Sequence, residues 1–265
     1  MNRIILGTTD HTRELNDYHG NTVTIADDTK ALYISSLYKM NHIYFDITTP
    51  ETSARSYKIE LWDGSEFSEV ADKIDETYGA TQSGFLHWTP DPDEGWSRVD
   101  TDDMTAATDF DDIRIFGRYW TKITFTGITD GLEINWIGSL FSKDEDLEDE
   151  FYDLTTTGVK TALGVTDYMN KHVRASEIII NELQSRELIQ DDSQLLLRTD
   201  YRPAAVQKVA AMIFNELGDA YIDQKEAAKK EFYARLKTVK PAIDLNGDGR
   251  ADAGERSASQ GKLIR

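Results

Sequence analysis

The apolar residues of this sequence recur at every second position between about residues 30 and 141, and at every third or fourth position after that. A half-buried β-strand needs the first period and an amphipathic helix the second, so one kind of secondary structure cannot serve the whole chain. In "NHIYFDI" Ile43, Phe45 and Ile47 alternate with His42, Tyr44 and Asp46. In "YKIELW" Tyr57, Ile59 and Leu61 alternate with Lys58, Glu60 and Trp62. "RYWTKITFTG" sets Tyr119, Ile123 and Phe125 on one face, and "LEINWIG" groups Leu132, Ile134 and Trp136. Turn residues such as Asp63-Gly64, Pro90, Pro92 and Gly127 separate these runs, which predicts an antiparallel, jelly-roll-like β-sandwich over residues 31–142.

Beyond the acidic run "KDEDLEDEF" the period is helical. Val206, Val209, Ala210, Ile213, Phe214 and Leu217 form one stripe, with Pro203 near its start and Gly218 at its end. That is the expected punctuation of a helix. Ala228, Phe232, Leu236 and Val239 form a second stripe, and Met169, Val173, Ile180 and Leu183 a third. Three amphipathic helices predict a small bundle over residues 143–243. The fold class expected is therefore α+β. Residues 1–30 are polar and weakly patterned and read as an extended arm.

Composition narrows the function. The 265 residues are enough for two cores. The absence of cysteine removes disulfides and thiolate metal sites. The first residues lack the apolar core of a signal peptide, and no run approaches a membrane span, so a soluble protein with no membrane partner is expected. A net charge of −19 argues against a protein that grips nucleic-acid phosphates. The charge is uneven: the first 145 residues carry 12 Lys and Arg against 27 Asp and Glu, a net of −15, and the remaining 120 carry 17 against 21, a net of −4.

Motifs for catalysis are missing. The five histidines (His11, His19, His42, His87, His172) show no metal-ligand spacing, no glycine-rich phosphate loop follows a strand, and no serine occupies a Gly-x-Ser-x-Gly elbow. Acid pairs such as Asp102-Asp103 carry little information in so acidic a chain. The expectation is that the protein is not an enzyme. All five tryptophans fall in the β half; they fill a core or form a stacking platform, and Trp62, Trp88 and Trp96 are the candidate binding residues. Trp62, opposite in phase to Leu61, is expected to be exposed or to cover a sheet edge.

One loop motif is specific. In "DLNGDGRADAGER" Asp244, Asn246 and Asp248 stand at positions 1, 3 and 5. Gly249 is at 6, Arg250 offers its carbonyl at 7, Asp252 is at 9 and Glu255 at 12. This is the oxygen-ligand spacing of an EF-hand-like Ca²⁺ loop. No second hand accompanies it and the sequence after it is a poor helix former, so a structural clip is expected over residues 244–265, not a sensor.

Several of these stretches resemble known sequences. "YFDITTPETSARSYKIELWDGSEFSEV", "SGFLHWTPDPDEGW" and "RYWTKITFTG" resemble the sandwich domains of tailed-bacteriophage virion proteins. "INWIGSLFSKDEDLEDEFYDL", "SEIIINELQSRELIQDDSQLLLRTDYRPAAVQKVAAMIFNELGD" and "KKEFYARLKTVKPAIDLNGDGRAD" are similar to phage head–tail adaptor (neck, connector) proteins. The resemblance spans about residues 30–255 and lies in pattern and short words. It implies a structural role: a ring, usually of twelve copies, below the portal protein. Such a ring meets neck and tail proteins and extends a channel through which DNA passes without specific binding, in the virion. It implies further that Glu177–Leu188 and Ala204–Leu217 build the ring and that Ser257–Arg265 dock. Two other readings stand beside it: another virion part (baseplate, tail or fibre attachment), and a sugar-binding sandwich with a calcium-dependent docking module.

Overall fold

The computed structural model describes residues 2–18, 21–26, 29–89, 95–104, 113–129, 131–239, 242–249 and 255. The chain divides into two compact units. One comprises Met1–Gly138 with Asn246–Gly249; the other comprises Ser139–Leu245 with Arg250–Arg265.

The first unit holds two antiparallel sheets. The strands are β1 (Arg3–Leu6), β2 (Thr9–Asp10), β3 (Val23–Ile25), β4 (Leu32–Ser36), β5 (His42–Thr49), β6 (Ser56–Trp62), β7 (Phe67–Glu69), β8 (Lys73–Asp75), β9 (Gly84–Trp88), β10 (Tyr119–Thr126) and β11 (Leu132–Gly138), with a short helix α1 (Thr12–Asn16). The six-stranded sheet has the order β2-β1-β4-β10-β6-β7 and the five-stranded sheet β3-β11-β5-β9-β8. The period-two residues meet between them: Ile34, Ile59 and Ile123 from one sheet and Ile43, Phe45 and Ile134 from the other are each at most 1% exposed. The four strands read from alternation are all present. Residues 1–30 are not an arm, because β1 pairs with β4 and β3 with β11. Ile4 and Ile5 of β1 and Leu15 of α1 are fully buried there; short apolar segments between polar residues are enough to make a strand and a helical turn of the core.

Two placements differ from the alternation. The pairing of β11 with β5 shifts register at Glu133/Ile134 and again at Ile134/Trp136. A bulge adds a residue to one strand and reverses the facing beyond it. Ile137 therefore joins Leu132 and Ile134 in the core, while Trp136 lies beside Tyr44 and Tyr18, ring centroids 6.3 and 6.5 Å away. Gly138 completes this corner: a Cβ there would stand 2.3 Å from the Trp136 ring, so only glycine fits.

Trp62 is the other difference. It does point away from the core shared by the sheets, as its phase demands, yet it is 3% exposed. In the excursion between β9 and β10, residues 95–104 and 113–118 lie over the outer face of the six-stranded sheet. Of these, Met104 and Ile115 close a second apolar cluster with Ile5, Tyr33, Trp62 and Trp120. The excursion is tied down by a bridge between Val99 and Arg118, and by the Thr101 hydroxyl donating to the Ile113 carbonyl and accepting from the Ile115 N–H.

The second unit is helical: α2 (Asp144–Thr155), α3 (Thr157–Leu163), α4 (Met169–Ser185), α5 (Arg202–Leu217) and α6 (Ile222–Thr238). α5 packs against α2, α4 and α6. Its alanines at 204, 205 and 210, all fully buried, let neighbouring backbones approach. Pro203 in its first turn and Gly218 at its end, with φ 90°, bound it as the sequence indicated. On α4 the buried stripe is rotated from the expected one. Ile179 is fully buried and Ile180 only partly, because His172, Ala175 and Ser176 also face inward. The acidic run is itself helical. It forms most of α2, whose Leu147 and Leu154 are buried and whose acids begin at the N-terminus, where the helix dipole favours them.

Candidate functional site

The tryptophans singled out as binding residues do not form a platform. Trp62, Trp88 and Trp96 are 3, 3 and 4% exposed. Trp96 donates its indole N–H to the Trp120 carbonyl at 3.2 Å, and Trp88 and Trp96 belong to the core between the sheets. They are packing residues, as their apolar area favours.

In the terminal loop, Asp244 is fully buried. Its N–H donates to the Gln194 carbonyl at 2.9 Å, and its own carbonyl accepts from Gln194 Nε2 at 3.0 Å. Ile243 bridges Leu195, which anchors the entry to the loop. Asn246 and Asp248 are bonded to each other: the Asp248 N–H donates to Asn246 Oδ1 at 2.9 Å and Asn246 Nδ2 donates to Asp248 Oδ2 at 3.1 Å. Gly249 has φ 84°, the sign that the sixth position requires. Glu255, at the twelfth position, accepts from the Leu245 N–H at 2.9 Å. Arg250 and Asp252 lie outside the described residues. Among the described residues no three His, Asp or Glu side chains stand close enough together to hold a metal ion.

The structure assembles one group that sequence reading missed. Ser142, His172 and Asp144 form a hydrogen-bonded chain, Ser142 Oγ to His172 Nδ1 at 2.8 Å and His172 Nε2 to Asp144 Oδ1 at 3.2 Å. The residue types are those of a nucleophilic triad, but the order on the ring is reversed, since a triad presents Nε2 to the serine and Nδ1 to the acid. Ser142 and His172 are also fully buried, which bars a substrate from the hydroxyl. Asp144 is the hub of a lock between α2 and α4. It also accepts from Lys160 Nζ at 2.6 Å and from the Tyr168 N–H at 3.1 Å. Burial works against ionisation of Asp144, but the hydrogen bonds from His172 and Lys160 prevail and hold its carboxyl below the usual range. Burial, with the Asp144 charge beside it, pushes the Tyr168 phenol up to about 12. It therefore stays a donor, to the Leu154 carbonyl at 2.8 Å. No spacing rule connects Ser142 and Asp144 to a histidine 28 residues on.

The helical unit also carries an open cleft lined by aromatic, aliphatic and acidic residues. α2 leaves helical geometry at Phe151 (φ −137°, ψ 57°). The Phe151 ring meets Phe214 edge-on, centroids 6.1 Å apart, and Phe214 stacks on Tyr221 at 6.0 Å. Together with Leu154, Val159 and Leu217 these rings line a cleft of about 490 Å³, with Glu150 and Asp153 among its lining residues. Nearby chain leaves large apolar groups in water: Tyr152 is 65% exposed, Ile222 52% and Tyr221 38%.

No family model matches the chain, and no curated protein matches it. Among solved structures, one match is a chain described as CpGH89CBM32-6 produced by Clostridium perfringens. It has a TM-score of 0.30 and 13% identity, and the match covers 52% of this chain and 90% of that one. A likeness that weak carries no argument about fold or function.

Proposed function

We propose that this chain is a structural protein of a tailed-bacteriophage virion, an adaptor that assembles as a ring between the portal vertex and the tail. The observation that carries the reading is the apolar surface the helical unit leaves open, the Phe151–Phe214–Tyr221 cleft with Tyr152 and Ile222 beside it. A cleft lined by aromatic rings, with exposed Tyr152 and Ile222 near it, is surface that a ring would bury against neighbours. The sequence resemblance supplies the identity of those neighbours: further copies of the chain, the portal protein and neck or tail proteins. DNA would pass through the ring, and the acidic balance suits a wall that does not hold it. In this reading the β unit is a jelly-roll-like virion sandwich and the helical unit a bundle. Asp244, Asn246, Asp248, Arg250, Asp252 and Glu255 would close around Ca²⁺ as a structural clip. The positive φ of Gly249 and the return of Glu255 onto the Leu245 N–H favour that clip. A sugar-binding role loses the exposed tryptophans that suggested it.

Light scattering on the purified chain, with and without calcium and with added portal protein, tests the reading. The expected result is a discrete mass of about a dozen copies, formed by the chain alone or on the portal. A chain that stays monomeric under all these conditions overturns it. In parallel, calorimetry is expected to show uptake of one calcium per chain, lost in Asp244→Ala/Asp248→Ala.

A further inference from the structure

The cleft has a complement in the chain's own sequence. Three acids along α2, Glu148, Asp149 and Asp153, are exposed and make no ion pair among the described residues. Glu150, by contrast, is engaged by Arg235 at 2.7 Å and by Gln207 Nε2 at 2.8 Å. Asp153, which lines the cleft, therefore leaves uncompensated negative charge at its rim, and Glu148 and Asp149 add to it earlier on the same helix. α3 adds to the vacancy, since none of its seven residues is buried and Val159 stays partly open over the cleft. The last ten residues of the sequence, "RSASQGKLIR", carry three basic groups and no acid, and they end in an aliphatic pair flanked by cations, Lys262-Leu263-Ile264-Arg265. A short segment with two branched aliphatic side chains between positive charges is what a cleft of this size and charge selects.

We propose that the cleft receives the C-terminal segment of a second copy of the chain, with Leu263 and Ile264 against Phe151, Val159 and Tyr221 and with Lys262 and Arg265 facing the α2 acids. The inference rests on the ring reading and deepens it. Donor segment and acceptor cleft are different surfaces, so the contact is heterologous, and repetition of a heterologous contact closes a ring when the rotation allows. The aliphatic pair supplies the burial, while the exposed charges set orientation and speed the encounter more than they add affinity.

The test uses the full chain and the labelled decapeptide RSASQGKLIR. Fluorescence anisotropy is read on Leu263→Asp/Ile264→Asp, whose own end does not compete. That chain is expected to bind the peptide at micromolar concentration. Val159→Asp, introduced into it, is expected to weaken binding by about tenfold or more, and the surface change Asp153→Lys by about threefold, an effect that fades at high salt. Circular dichroism confirms that each variant keeps its helices. Asp153→Lys, at an exposed and unpaired position, keeps the test decisive even where Val159→Asp does not fold. Absence of peptide binding, or binding indifferent to both cleft changes, overturns the inference. A wild-type oligomer that persists in Leu263→Asp/Ile264→Asp also overturns it, while leaving the ring reading intact. A wild-type chain that stays monomeric and refuses a peptide the tail variant accepts would place the segment in its own cleft, which overturns the second-copy assignment.

Discussion

Replacing Trp120 by alanine should cost the β unit about 3–5 kcal/mol, the usual range for deleting a fully buried aromatic. Trp120 is 0% exposed in the middle of β10, between β4 and β6. Its ring lies in the cluster with Tyr33, Trp62, Met104 and Ile115 that forms where the excursion residues 95–104 and 113–118 cover the sheet. Removing the indole opens a cavity beneath that excursion and leaves the neighbouring rings without partners. For a unit of this size the loss corresponds to a fall of roughly 10–15 °C in midpoint temperature. Thermal and urea unfolding of wild type, Trp120→Ala and Trp120→Phe measure it, with the phenylalanine variant expected to recover more than half of the loss. A Trp120→Ala change of less than about 1 kcal/mol would mean that the excursion does not seal the sheet.

The second large effect is expected at Asp144. Substitution by alanine strands the His172 ring, the Tyr168 N–H and the Lys160 ammonium at once. Leaving buried donors unpaired costs more than the net worth of the bonds, so about 2–4 kcal/mol is expected. Asp144→Asn, which keeps an acceptor and loses the charge, should fall between. The pH dependence follows from the depressed carboxyl. A group whose folded pKa lies below its unfolded value binds fewer protons in the folded state. Its stabilisation is therefore full above the ordinary carboxylate range, near pH 4, and is lost as pH falls through the folded pKa. Urea midpoints of wild type and Asp144→Asn should stand apart at pH 7 and converge at acid pH, once pH has fallen through the depressed folded pKa. Midpoints that differ equally at both pH values would sink the assignment of the charge as the stabilising element.

Much of the framework could be read from the sequence because burial imposes its own period. β5, β6, β10 and β11 each bury one face, and α5 and α6 each bury one stripe, so their apolar residues announce them. Reading failed where a contact came from outside the element. Trp62 has the phase of an exposed residue and is buried because a distant excursion covers it. Trp136 has the phase of a core residue and leaves the core because β11 is bulged. α2 showed no apolar stripe of its own because its buried residues are few, Leu147 and Leu154 with Phe151 partly covered, among many acids. At the candidate sites the limits were similar. The loop motif could be read because its residues fall within one contiguous stretch. The Ser142–His172–Asp144 lock could not, since Ser142 precedes α2, Asp144 begins it and His172 lies on α4, beyond α3. The cleft could not either, since it depends on the break at Phe151.

The strand order also sets when this protein can fold. In both sheets a strand made late occupies an interior place, β10 between β4 and β6 and β11 between β3 and β5. During synthesis the six-stranded sheet lacks an interior strand until residue 126 has left the ribosome, and the five-stranded sheet until residue 138 has. Until then the earlier strands wait with open edges and unpaired backbone groups. Pairings of such long sequence separation are slow to form and exposed to wrong partners meanwhile. The first half of this chain thus stays dependent on protection in the cell until its last two strands arrive, and the helical unit begins to be made only as the sandwich becomes able to close.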